Sequence, residues 1–214
     1  MIAALLAALV LPLGGATQIN LQVESGGVHL SAAAGIHTIT IRAGGNAQPH
    51  AEVSRIGKST ISIALNGHAS VHLPFVQSTG KSADYEIIYP ANARIEVYDL
   101  SGDITIDGSR TTAKVETNSG TITADEARGE LDLAADSGDI TATLAPDWKA
   151  DSIRMQSGGG NVRLTVPRGF RAHVDADSGQ GQVHNALTRA NTSAKRPFVW
   201  LYTTRGDVFI TTSQ

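Results

Sequence analysis

One short phrase keeps returning along this chain: a glycine, a polar residue, then Ile or Val. It stands at Gly102-Asp103-Ile104, Gly120-Thr121-Ile122, Gly138-Asp139-Ile140, Gly160-Asn161-Val162, Gly181-Gln182-Val183 and Gly206-Asp207-Val208. The glycines follow one another at 18, 18, 22, 21 and 25 residues. Serine directly precedes the first three, as Ser101, Ser119 and Ser137. Each phrase opens a short run with its apolar side chains on one face, such as Ile104-Thr105-Ile106 or Val162-Arg163-Leu164-Thr165-Val166. About ten residues later a second alternating run follows: Ala113-Lys114-Val115, Leu131-Asp132-Leu133, Ile153-Arg154-Met155, Ala172-His173-Val174 and Val199-Trp200-Leu201.

Two short strands per repeat cannot bury their own apolar positions. Stacking the repeats at the inter-strand distance of ~4.8 Å solves the problem, because identical positions then form continuous internal ladders. The expected fold is an all-β, single-domain parallel β-solenoid with two short strands per coil of about 18–22 residues. Parallel crossovers favour a right-handed coil. Stacked in chain order, Ile104, Ile122, Ile140, Val162, Val183 and Val208 form one ladder. The aromatic share is only 5% against 41% hydrophobic residues, so the core is built from Val, Ile, Leu and Ala.

Composition narrows the function. A net charge of -3 gives no basic footprint for nucleic acid or anionic lipid. The chain has no cysteine, which removes disulfides, thiolate metal sites and a thiol nucleophile. Residues 1–16 are an apolar run too short to span a bilayer and closed by small residues. They are expected to be a secretory signal cleaved after Ala16, although no Lys or Arg precedes the run; a buried first strand or helix is the alternative. Residues 17–84 read as irregular N-terminal β coils or a cap, with a separate small β-sandwich as the other possibility. Residues 85–214 read as the regular solenoid, ending in a lengthened coil.

The run Tyr85-Glu86-Ile87-Ile88-Tyr89-Pro90-Ala91-Asn92-Ala93-Arg94-Ile95-Glu96-Val97 leads into Leu100-Ser101-Gly102-Asp103-Ile104. Asn118-Ser119-Gly120, Asp136-Ser137-Gly138-Asp139-Ile140 and Ser157-Gly158-Gly159-Gly160-Asn161-Val162 follow in order. This succession resembles the bacterial putative-adhesin (toastrack) family. The resemblance implies an exported β-solenoid, and it brings no catalytic residues with it.

Several familiar patterns dissolve on inspection. Gly57-Lys58-Ser59-Thr60 lacks the upstream glycine and the following helix of a phosphate loop. Asp136-Ser137-Gly138 and Asp177-Ser178-Gly179 are stations of the repeat, not an aspartic dyad. Asp103, Asp136, Asp139, Asp177 and Asp207 read as turn acids, with calcium as the alternative. Arg205-Gly206-Asp207 occupies the repeat's own turn. His68 and His72 read as exposed polar residues of a strand end. No metal or other cofactor is expected.

Aromatic residues are the remaining candidates. Phe198, Trp200 and Tyr202 alternate with Val199 and Leu201, so three rings point outward if the aliphatic pair faces the core. Phe209 and Trp148 are further candidate contacts. Exposed rings of this kind stack on sugars or anchor protein partners. The insertion 184–197 is placed to cover them as a cap instead. The expected function is a non-enzymatic extracytoplasmic binding module whose partner is a cell-surface glycan or envelope protein. A structural accessory that stacks on a partner and a carbohydrate-active β-helix enzyme are the alternatives.

Overall fold

The repeat phrase and its partner run build two long sheets facing each other across an apolar interior. A computed structural model describes residues 8–44, 51–65, 84–187 and 197–213, and they form nineteen strands. In the regular region each coil contributes one strand to each sheet. Sheet B takes β8 (Arg94–Ser101), β10 (Ala113–Ser119), β12 (Leu131–Ser137), β14 (Ser152–Ser157), β16 (His173–Ser178) and β18 (Phe198–Thr203). Sheet A takes β9 (Ile104–Asp107), β11 (Ile122–Ala127), β13 (Ile140–Leu144), β15 (Val162–Val166), β17 (Val183–Asn185) and β19 (Val208–Thr212). Neighbours within these sets pair in parallel. No helix long and apolar enough to cross a membrane is found among the described residues.

The alternation read from the sequence sets the interior. Ile104, Ile122, Ile140 and Val162 are fully buried and in register from coil to coil. Across from them stand Ile95, Ala113, Leu131, Ile153 and Val199 on sheet B. Each such Ile, Leu or Val side chain contributes ~1.5–3 kcal/mol by leaving water.

Turns close the coils by two devices. Gly120 and Gly138 have φ of 136° and 137°, which an L side chain rarely adopts, and a Cβ on either would collide with the glycine carbonyl of the coil before it. The acid after the glycine caps the next coil. Asp103 Oδ1 accepts from Thr121 N at 2.7 Å, Asp139 Oδ1 from Asn161 N at 2.8 Å and Asp207 Oδ1 from Gln182 N at 2.8 Å. Asp207 is thus tied to both neighbouring coils, its carboxylate to Gln182 N and its own amide to Asn161 Oδ1 at 2.9 Å, as the repeat's turn residue. Asp136 and Asp177 lie on strands separated by two others, ~14 Å apart by strand spacing, so they make no dyad. Gly57 turns a hairpin between β5 (Ala51–Ile56) and β6 (Thr60–Leu65). His68 and His72 lie outside the described residues.

The order of stacking departs from the order of the chain at both ends. The last coil, β18–β19, sits between β14–β15 and β16–β17. The ladder therefore runs Val162, Val208, Val183, and Val183 at its end is 40% exposed. The first coil, β2 (Gln18–Val23) and β3 (Val28–Ala33), sits between β8–β9 and a coil made of β6 and β7 (Tyr85–Pro90). Residues 17–44 and 51–65 thus enter the same two sheets as the repeats rather than a separate sandwich. The cap beyond them is antiparallel: β5 pairs with β6, β4 (Thr38–Ala43) with β7, and β1 (Ala8–Pro12) with β4.

This arrangement gives the expected leader a structural place. Its second half supplies β1, and Leu13 and Ala16 are buried. Leu13 N donates to His37 O at 3.0 Å, and Arg55 Nη2 donates to the Leu13 carbonyl at 2.8 Å. Residues 8–16 pair and pack with the cap, although β1 itself stays partly exposed, with Val10 54% exposed.

Candidate functional site

The outer face of sheet B is a grid, because its strands stack without a shift in register from β8 to β18. One row across the strands reads Glu96, Lys114, Asp132, Arg154, Trp200 and Asp175. The row on one side ends in Ser152, Phe198 and His173, and the row on the other in Gln156, Tyr202 and Asp177. Charge alternates along the central row until it meets the indole.

Most of these charges are already paired. Lys114 Nζ lies 2.8 Å from Glu116, Arg94 Nε 3.5 Å from Glu96, and Arg154 Nε 4.0 Å from Asp132. The hydrogen bond and charge of Glu116, helped by Asp132 and Glu96, push the Lys114 ammonium above its ordinary pKa. The pairs are exposed, so each adds at most ~1 kcal/mol to stability. Their larger effect is to fix where donors and acceptors stand.

A groove of about 450 Å³ crosses this grid, between Arg94 at one end and Phe198 and Trp200 at the other. Thr112 and Ser152 are short residues in its lining, which leaves room between longer neighbours. Glu130 and Asp132 both reach the groove, and Thr112 Oγ1 donates to Glu130 at 3.2 Å. The two acids stand side by side on one sheet face, half exposed to water. A glycosidase-type general acid needs a drier carboxyl with a partner across the substrate.

The aromatic candidates separate into three settings. Phe198, Trp200 and Tyr202 come together on the outer face of sheet B, because Val199 and Leu201 take the buried positions. Phe198 is 40% exposed and stacks on His173 with centroids 5.5 Å apart. Trp200 stacks beside Tyr202 at 5.9 Å and carries the Arg154 guanidinium 4.9 Å from its ring centre. Phe209 lies on the other sheet with Arg163 on its ring at 4.2 Å and His184 stacked at 4.8 Å. Those contacts staple three coils together on the sheet opposite the groove.

Trp148 is a correction to the sequence reading. Its turn folds inward, Nε1 donates to the Gly129 carbonyl at 2.8 Å, and the ring packs on Phe170 at 5.5 Å. At 8% exposure it plugs a corner between the sheets and presents little surface to solvent. Whether the insertion 184–197 covers the sheet B rings falls mostly outside the described residues. Arg94, Thr112, Lys114, Glu130, Asp132, Ser152 and Arg154 were not singled out as binding residues from the sequence. The signal available there was position: each directly precedes or follows an inward aliphatic residue of the sheet B run.

A two-sheet parallel β-solenoid bearing a shallow polar groove with an aromatic end defines a class of repetitive scaffold with a surface site. The chain belongs to the Toastrack DUF4097 family, whose profile matches residues 8–213. Among solved structures it is similar to a putative cell adhesion protein from Clostridium sporogenes ATCC 15579, at 12% identity and a TM-score of 0.55, over 96% of this chain and 98% of that one. It is also similar to a putative adhesin from Bacteroides fragilis NCTC 9343, at 12% identity and a TM-score of 0.52, over 97% of each chain. At that identity the likeness is one of fold. No curated protein matches the chain.

Proposed function

We propose that this chain is a non-enzymatic, adhesin-like interaction module that works outside the cytoplasm and engages its partner through the outer face of sheet B. The observation that carries the reading is the groove ending in Phe198 and Trp200, where apolar rings stand beside fixed polar groups. Ligand sites combine apolar walls with a few placed polar groups in this way. The names of the two structural neighbours support an adhesive role. The test is retention of the purified chain on cell-envelope fractions, compared with Trp200→Ala. Loss of retention in the variant, with a melting point lowered by no more than about 5 °C, is the expected result. Equal retention of both proteins would overturn the assignment of this face.

A structural accessory that stacks end to end is the second reading. It is favoured by the terminal coil, where the inward-facing Val174 and Ala176 are only half buried and Val183 is exposed. Sedimentation across a concentration series tests it, and a monomer throughout would count against it.

A further inference from the structure

We infer that the sheet B groove takes an uncharged, β-linked glycan lying across the strands, along the axis of the stack. This rests on the reading of that face as the ligand surface, and adds the ligand's chemistry and direction.

Shape gives the direction. The groove draws on β8, β10, β12, β14 and β18. Four strand spacings make it ~19 Å long. These strands hold one register, so the groove crosses them without a sideways step. Sheet A lacks that regularity, since β11 shifts register against β13 between Ala124 and Ala127. A site with one unbroken register suits a β-1,4-linked chain, whose sugars extend in a ribbon with a repeat close to one strand spacing. An α-linked chain curls and meets only part of such a site.

Charge selects a neutral ligand. Arg94, Lys114 and Arg154 each already face a carboxylate. A polyanion would have to break those pairs to be bound by the cations. A hydroxyl-rich ligand does not, because the arginine and lysine heads keep further donors and the carboxylates keep further lone pairs. Phe198 and Trp200 supply what hydroxyls cannot use: an apolar surface for the C–H face of a pyranose ring. A protein partner fits less well. Protein interfaces concentrate apolar anchors at the centre, whereas here the rings stand at one end of a charged grid.

Calorimetric titration with cellohexaose and chitohexaose, and with hexagalacturonate as the anionic comparison, tests the inference at about 50 mM and about 500 mM NaCl. A neutral hexasaccharide is expected to bind with less than a twofold change between the two salts. Trp200→Ala is expected to weaken it at least tenfold. Ser152→Arg fills the groove without touching the core and is expected to do the same, so a folding defect in one variant does not decide the matter. Thr123→Arg on the outer face of sheet A is expected to change nothing. Preferred binding of hexagalacturonate that fades at high salt overturns the inference, and so does binding of none of the three. If envelope retention still depends on Trp200 while all three saccharides fail, the glycan is wrong and the ligand face stands. If retention ignores Trp200 as well, both fall.

Discussion

Ser157 Oγ donates to the carbonyl oxygen of Gly138, one coil earlier, at 2.8 Å. The same bond recurs from Thr203 to Gly160 and from Ser178 to Gly206, each at 2.7 Å. These hydroxyls share an inward column with Ala135, Thr117 and Asp99. Asp99 is the discordant member. It is fully buried, its Oδ1 accepts from Ser101 N at 3.1 Å, and Oδ2 has no hydrogen-bond partner among the described residues.

Replacing that carboxyl should stabilise the protein at neutral pH. Burial pushes Asp99 up from 3.8 to about 6, against the pull of the Ser101 and Leu100 amides. Between those values the folded state holds a proton the unfolded chain has released. Stability therefore falls as pH rises through this window, and the deficit is complete above it. Asp99→Thr, which copies Thr117 and Thr203, is expected to gain at most ~3 kcal/mol at pH 7–8. The gain should shrink below about pH 4. Urea midpoints at the two pH values check it, and a gain that ignores pH would rule out the charge as its cause.

Glycine substitutions should divide sharply by position. Gly120→Ala drives a Cβ into the Gly102 carbonyl, and the neighbouring backbone cannot yield without shifting a coil. A loss of about 3 kcal/mol or more is expected, at or above the upper end of overpacked sites, because the clash is with backbone. Gly35 has a φ of 75° but nothing near its would-be Cβ, so Gly35→Ala should cost only ~1–2 kcal/mol of backbone strain. Similar losses at both would mean that close approach is not what the repeat glycine serves.

The two tryptophans should fail in different ways. Trp148→Ala empties a corner shared with Phe170 and Gly129, at an expected cost of ~3–5 kcal/mol. Trp200→Ala removes a half-exposed ring and should cost under about 1.5 kcal/mol while abolishing retention on envelope fractions. Chemical denaturation beside the retention assay separates the two.

Beginning the chain at Thr17 should expose the cap. That deletion removes β1 from β4, which carries the fully buried Ile39 and Ile41, and removes the Leu13 carbonyl from Arg55. A chain starting at Ala8 is expected to melt several degrees above one starting at Thr17. Equal melting points would show that residues 8–16 add nothing, and would favour a cleaved leader.

Column membership was legible in the sequence; stacking order was not. The phrase Gly138-Asp139-Ile140 and its copies announce which residue turns, which caps and which enters the core, because those roles depend on local alternation and on φ. Phe198, Trp200 and Tyr202 could be placed outward for the same reason. Nothing local says that β18 lies between β14 and β16, or that β2 lies between β6 and β8. Every coil offers the same apolar ladder, so Val162 accepts Val208 or Val183 equally well by pattern, and only the packing of the whole stack chooses. The groove follows from that choice, since Trp200 reaches Arg154 only because the last coil folds back one place. Trp148 was misread because a turn tryptophan is inward or outward according to what the next coil leaves open, and here Gly129 and Phe170 leave a pocket of its size.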